Sequence, residues 1–219
     1  MNIITSLAPH KYQVQMDAIS SWLDLGFTVW SINEIEEKNM LQKYWFYKNN
    51  VKFLSAKHTA TSLYNFKIPY PSLLDILEVI FNQKSPWIIV NSDIEFHTTR
   101  QVINKILDRS SETLIFGNRI DIDNDEESVY HDGFDWFAIN NSCQHLFTAR
   151  NHFVIGQPFW DYWLPLTFIR KKLTPILYDH SIAYHHKHEI NWNSSQLTFF
   201  GSLLAKEIGF QLSDINSVD

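Results

Sequence analysis

At 219 residues, 45% apolar and 15% aromatic, the chain is long enough to bury one core and too apolar for disorder. Its net charge of −6, with acidic and basic residues scattered along the sequence, argues against a broad nucleic-acid footprint. A single cysteine, Cys143, excludes an intrachain disulfide framework, and no apolar run approaches the ~18 residues of a membrane-spanning helix. The amino terminus lacks a charged region followed by an apolar core, so the expected location is the cytosol, free or peripheral at the inner face of a membrane.

In chain order, the first half alternates strand and helix. "NIITSLA" is a short apolar run. "QVQMDAISSWLDLGF" then sets Val14, Ala18, Ile19 and Trp22 on one helical face, with Gly26 as a stop. "TVWSIN" reads as a strand, "EIEEKNMLQKY" as a helix, and "VKFLSA" as a third strand. "PSLLDILEVIFNQ" is a helix with Pro71 near its first turn, and "WIIV" is a fourth strand. In "TTRQVINKILDR", Val102, Ile103, Ile106 and Leu107 make one stripe. This alternation predicts an α/β fold with a mostly parallel, Rossmann-like central sheet and helices on both faces.

After Arg109 the pattern becomes richer in β structure. "TLIFGNRIDI", "FDWFAIN", "FVIG" and "PILYDHSIAYHH" read as strands, with an acidic turn "DNDEES" between the first two. No repeat or linker interrupts the chain. The expectation is one domain, 1–219, with a nucleotide-binding half at 1–110 and an acceptor-side half at 111–219.

The stretch "PWIIVNSDIEF" is a buried-type strand that stops at Asn91, Ser92 and Asp93. Ligands of open α/β sheets bind beyond the carboxyl ends of strands. Two residues apart in an extended segment, Asn91 and Asp93 would point the same way, toward one cation or one ribose. A plain turn or helix start explains the same three residue types.

"IIVNSDI" resembles the DxD signature of glycosyltransferases with the GT-A fold, with Asn91 where the first aspartate stands. The likeness extends over nearly the whole chain. "TSLAPHKYQVQMDAISSWLDLGFTVWSINEIEE" resembles the amino-terminal segment of bacterial GT-A proteins, and "GFDWFAI", "FVIGQPFWDYWLPL" and "ILYDHSIAYHHKHE" are similar to later blocks in the same order. The resemblance implies a GT-A-like fold and a nucleotide-diphosphate sugar as donor. It further implies Mn²⁺ or Mg²⁺ as cofactor and a saccharide or lipid-linked acceptor, with neither nucleic acid nor stable membrane insertion.

Carried to this sequence, the resemblance places Thr5, Ser6, Asn33 and Glu34 at the ends of the first two strands, against a base or ribose. Turn formation and helix capping are their plain alternative. It places Asn91 and Asp93 at the diphosphate and its metal. It makes Asp161 of "PFWDYW" the general base of an inverting reaction, next to aromatics that could stack on sugars and raise its pKa. The alternative for Asp161 is an N-cap. A late histidine completes the metal shell in many such enzymes, and His185 and His188 of "YHHKHE" match best; solvated or core histidines remain the alternative. Asp135 and the basic "IRKK" (169–172) carry no assigned role.

The function expected is transfer of a glycosyl group to a hydroxyl with divalent-metal assistance. A catalytically silent GT-A-like domain that binds a sugar or a protein is the alternative, because Asn91 brings no charge. Sugar nucleotidyl transfer would call for a glycine-rich loop after the first strand, and "TSLAPHKYQ" has no glycine.

Overall fold

The computed structural model describes residues 1–123, 126–130, 133–147, 153–186 and 192–209. The first half follows its hydrophobic periods. Strand β1 (Asn2–Thr5) leads to α1 (Tyr12–Asp24), whose buried positions Gln15, Ala18, Ile19 and Trp22 repeat at helical spacing. Gly26 ends it in the left-handed region, φ +85°, which a side chain would strain. Next come β2 (Thr28–Asn33), α2 (Ile35–Leu41), α3 (Trp45–Asn50), β3 (Val51–Ser55) and α4 (Ala60–Tyr64). They lead to α5 (Leu73–Phe81), β4 (Trp87–Val90), β5 (Ile94–Phe96) and α6 (Arg100–Arg109). Ser72, not Pro71, caps α5 by accepting from Leu74 N, and Thr99 caps α6 by accepting from Val102 N.

The second half differs from its expected strands. "TLIFGNRIDI" is two strands, β6 (Ile115–Gly117) and β7 (Arg119–Asp123), in two different sheets. Gly117 is required where they part, because a Cβ there would lie 2.5 Å from the Trp136 ring. Part of the acidic turn is itself a strand, β8 (Glu126–Tyr130), antiparallel to β7. After β9 (Trp136–Ile139) come a 3₁₀ helix (Asn141–Leu146) and α7 (Trp160–Arg170). "FVIG" is no strand: Val154 makes a single bridge to Ser72, and Gly156 turns the chain at φ +74°. "PILYDHSIAYHH" divides into β10 (Ile176–Leu177) and β11 (Ala183–His186), again in separate sheets, before α8 (Ser194–Ile208).

Among the described residues, the larger sheet has seven strands in the order β10-β6-β9-β4-β1-β2-β3, parallel except for β9, which is antiparallel to both neighbours. Strands from both halves of the chain thus share one sheet. A smaller sheet runs β5-β11-β7-β8. Side chains alternate across the large sheet: Ile4, Trp87 and Ile89 pack with α5, α7 and α8, while Ile3, Ile88 and Val90 pack with α1 and α6. The fold is α/β, with helices on both faces of a mostly parallel sheet. Trp22 ties α1 to the small sheet, since its indole Nε1 donates to Ile94 O of β5 at 2.9 Å.

Candidate functional site

The abrupt end of β4 is a turn, not a continuing extended segment. Asn91 N donates to Asp135 O at 3.1 Å, Ile94 N donates back to Asn91 O at 3.4 Å, and β5 then pairs antiparallel with β11. Asn91 and Asp93 both face one cavity of about 220 Å³, but through this turn rather than through strand alternation. The cavity opens beyond the carboxyl ends of β1 and β4.

The β1–α1 loop on one side of the cavity is held from beneath. Gln15 accepts from Ala8 N at 2.6 Å and donates to Ala8 O at 2.7 Å, Leu7 N donates to Ser31 Oγ, and Asn33 Nδ2 donates to Leu7 O at 2.7 Å. Asn33 is therefore fully buried and does not line the cavity. Glu34 caps α2, accepting from Glu36 N at 2.7 Å, and also stands outside it. Thr5 and Ser6 do line it. Thr5 is fully buried, and its hydroxyl has no hydrogen-bond partner among the described residues. A buried hydroxyl left that way is costly.

The opposite wall is a ladder of charges. Arg119 Nε donates to Asp121 Oδ1 at 2.6 Å and its NH1 to Asp135 Oδ2 at 2.9 Å, while Asn91 Nδ2 donates to Asp135 Oδ1 at 2.6 Å. The Asn91 amide nitrogen is thereby committed. His185 Nδ1 lies 2.9 Å from Asp121 Oδ1, and its Nε2 lies 4.0 Å from Asp93 Oδ2. Burial lowers the His185 pKa below its ordinary value, so the ring is neutral. Burial alone would raise Asp121, but its bonds to Arg119 and His185 hold it below the usual carboxylate range. An ionised Asp121 accepts a hydrogen bond from His185 Nδ1–H, which leaves the Nε2 lone pair directed at Asp93.

At 4.0 Å, Asp93 Oδ2 and His185 Nε2 stand wider than adjacent octahedral ligands of one small cation, about 3 Å apart, so the two side chains would have to close up to share one. A carboxylate behind the imidazole is the usual support of a ligating histidine. Among the described residues no group of three His, Cys, Asp or Glu side chains could hold a metal, so further ligands would be substrate oxygens, as is common for Mg²⁺. Lys11 Nζ already sits 3.2 Å from the same Asp93 oxygen and puts a second positive charge at that point.

Asp161 does not line the cavity. It lies in the first turn of α7, whose N-cap is Phe159, and accepts from Phe134 N at 3.0 Å. Burial raises its pKa to about 7 against the opposing Phe134 amide, with neighbouring Asp135 adding to the rise. His188 lies outside the described residues. His186 is exposed, 3.6 Å from Glu95.

Lys11, Tyr70, Arg119 and Trp192 are among the lining residues that had no assigned role from sequence. Lys11 stands at the N-cap of the helix after the first strand, and Arg119 alternates with Asp121 in one strand, so both left a signal. Tyr70 and Trp192 left none; as aromatic walls they offer faces for a base or sugar.

No protein-family model matches the chain, and no curated protein sequence matches it. Solved structures resemble it in outline only. One is 4-diphosphocytidyl-2C-methyl-D-erythritol synthase from Anaerococcus prevotii, 9% identical over 93% of this chain and 96% of that one, with a TM-score of 0.49. Another, assigned as a glucose-1-phosphate thymidylyltransferase from Bacillus anthracis and solved with sucrose, is 10% identical over 96% of each chain, with a TM-score of 0.47. At such identities the likeness lies in the chain path and reaches no residue of the cavity.

Proposed function

We propose that this chain is an enzyme of nucleotide-sugar chemistry, and more finely a glycosyltransferase that moves a sugar from a nucleotide-diphosphate donor to a hydroxyl of a saccharide or lipid-linked acceptor. The observation that carries the reading is the meeting of Asp93 Oδ2 with the neutral His185 Nε2, 4.0 Å apart at the carboxyl end of a central strand, with Lys11 and Arg119 in the same cavity. Asp93 and His185 would hold Mn²⁺ or Mg²⁺, which would stabilise the negative charge that develops on the departing diphosphate. Lys11 and Arg119 add positive charge for the same phosphates. Thr5 and Ser6 offer hydroxyls to the nucleoside, and Tyr70 and Trp192 offer stacking faces. Asp161, the base that the sequence resemblance implies, is buried outside this cavity, and its part in the reaction rests on that resemblance.

Calorimetric titration with UDP, GDP and dTDP, with and without Mn²⁺, tests the donor site. Metal-dependent binding of one nucleotide to the wild type, lost in Asp93→Ala, is the expected result. A folded protein that binds none of them sinks the donor reading.

A second reading, a catalytically silent domain of the same fold, draws on two observations. Asn91 spends its amide nitrogen on Asp135, and Lys11 already neutralises Asp93. Metal-dependent hydrolysis of a donor sugar separates the readings: turnover supports the enzyme, and binding without turnover supports the silent domain.

A further inference from the structure

Among the described residues, Glu37 is a half-buried carboxylate with one weak hydrogen bond and no ion pair. Its Oε2 accepts from Asn33 Nδ2 at 3.4 Å, and that nitrogen makes its shorter bond, 2.7 Å, to Leu7 O. Burial pushes the Glu37 carboxyl up to about 7, against the Asn33 bond and with help from the charge of Glu34 one turn back. A carboxylate short of partners in this way is stabilised by whatever brings N–H groups to it. Glu37 stands just behind the cavity lining. The same Asn33 nitrogen lies 3.4 Å from Ser6 Oγ, and Ser6 lines the cavity beside Thr5, whose buried hydroxyl has no partner. The Tyr70 hydroxyl on the cavity wall is raised by burial and then by the charges of both Glu37 and Asp93, so both acids act on one space. Glu37 follows β2 and Asp93 follows β4, on either side of the central strand β1.

Resting on the donor reading above, we propose that Glu37 selects the base of the nucleotide and that this base is guanine. With the diphosphate against Asp93, Lys11 and Arg119, the nucleoside runs past Thr5 and Ser6 toward the β2 side, and the edge of the base meets Glu37. An ionised carboxylate presents two acceptors side by side. Guanine presents two adjacent donors, N1–H and the N2 amine, and the pair is bidentate. Uracil and thymine offer one N–H between two carbonyl oxygens, which a carboxylate repels. Adenine and cytosine set their amine beside a bare ring nitrogen, which suits only a protonated acid. Discrimination thus comes from the lone pairs that would face Glu37 in the wrong base. Asn33 and Glu34, the strand-end residues expected at the nucleoside, hold the loop and cap α2 instead, and Glu37 takes that place from one turn further on.

The test is calorimetric titration of the full chain with GDP, inosine diphosphate, UDP, CDP and ADP, each with Mn²⁺. GDP is expected to bind tightest. Inosine diphosphate, which lacks only the N2 amine, should bind about tenfold more weakly, and the other three roughly 10–100-fold more weakly. Glu37→Gln puts a donor where one acceptor stood and should erase the advantage of GDP over inosine diphosphate and UDP. The groups that face Glu37 are the Glu34 carboxylate, the Asn33 amide and the Ser6 and Tyr70 hydroxyls. Since the ionised acid is the form that pairs, the advantage of GDP over UDP should grow about tenfold from pH 6 to pH 8, and a ratio of two nucleotides cancels what the shared diphosphate contributes. Equal binding of GDP and inosine diphosphate, another base bound as tightly as guanine, an advantage that shrinks toward pH 8, or one undiminished in Glu37→Gln would each overturn the assignment and leave the donor site standing. The wild-type comparison of GDP with inosine diphosphate decides the matter even if Glu37→Gln fails to fold. Binding of none of the five by the folded protein would sink the donor site itself, and this assignment with it.

Discussion

Two groups of cations on this molecule behave in opposite ways. Arg119 and Lys11 are mostly buried and bonded to carboxylates, Arg119 to Asp121 and Asp135, and Lys11 to Asp93. Lys43, Lys48 and Lys52 stand exposed along the β3 edge with no acid in their stretch of chain. A buried charge must have its partners in place or unfold the site around it, so the first group sets geometry. An exposed charge costs the fold almost nothing, so the second group is at liberty to meet something outside.

The sharpest way to break this contrast is Arg119→Ala. It strands the Asp121 and Asp135 carboxylates in the interior and should cost about 3–5 kcal/mol in urea unfolding. A loss below about 1 kcal/mol would show that the ladder is no more demanding than a surface pair. Next in size, Asp93→Ala should lower donor turnover by roughly 10²–10³-fold with a smaller loss of stability than Arg119→Ala, because it removes a partner from one cation and strands no carboxylate. A large loss of stability instead would make Asp93 a structural residue held by Lys11.

Asp161 sharpens the comparison through pH. Its folded pKa of about 7 lies above the ordinary 3.8, so the folded state holds the proton more tightly than the unfolded chain. The stability it contributes is full below about pH 4, declines as pH rises and is lost above about 7. Asp161→Asn should flatten that decline and be more stable than the wild type at pH 8, as urea midpoints at pH 5 and 8 would reveal. If Asp161 is the base, wild-type turnover rises through pH 7 and the variant has almost none. A variant with normal turnover would remove Asp161 from the reaction. The smallest effect belongs to the β3 edge: a chain with Lys43→Gln, Lys48→Gln and Lys52→Gln together should unfold within about 0.5 kcal/mol of the wild type.

Much of the front half was legible because its contacts are local or periodic. The stripe of α1, that of α6 and the apolar run of β4 depend on spacing that a linear reading captures. The small sheet was not. β5, β7 and β11 are three to five residues each, and their partners lie far away in sequence, so "TLIFGNRIDI" and "PILYDHSIAYHH" looked like single strands. Asn33 and Glu34 illustrate the same limit at the site. Both end a strand beside Thr5 and Ser6, yet one is used to hold the loop below and the other to cap a helix.

The sequence by itself determined the α/β alternation and the two-faced central sheet, because hydrophobic period acts over a few residues, whereas the turn at Asn91–Asp93 stood there only as the alternative to an extended segment. Only the tertiary structure decided that Asp93, Arg119 and His185 line one cavity with Asp135 buried behind them, since that depends on strands from both halves pairing across long stretches of chain. It also decided the chemical state of the site. Burial leaves His185 neutral against the opposing pull of its carboxylate neighbours, the bond it donates to Asp121 turns the Nε2 lone pair toward Asp93, and no spacing of letters carries a local dielectric.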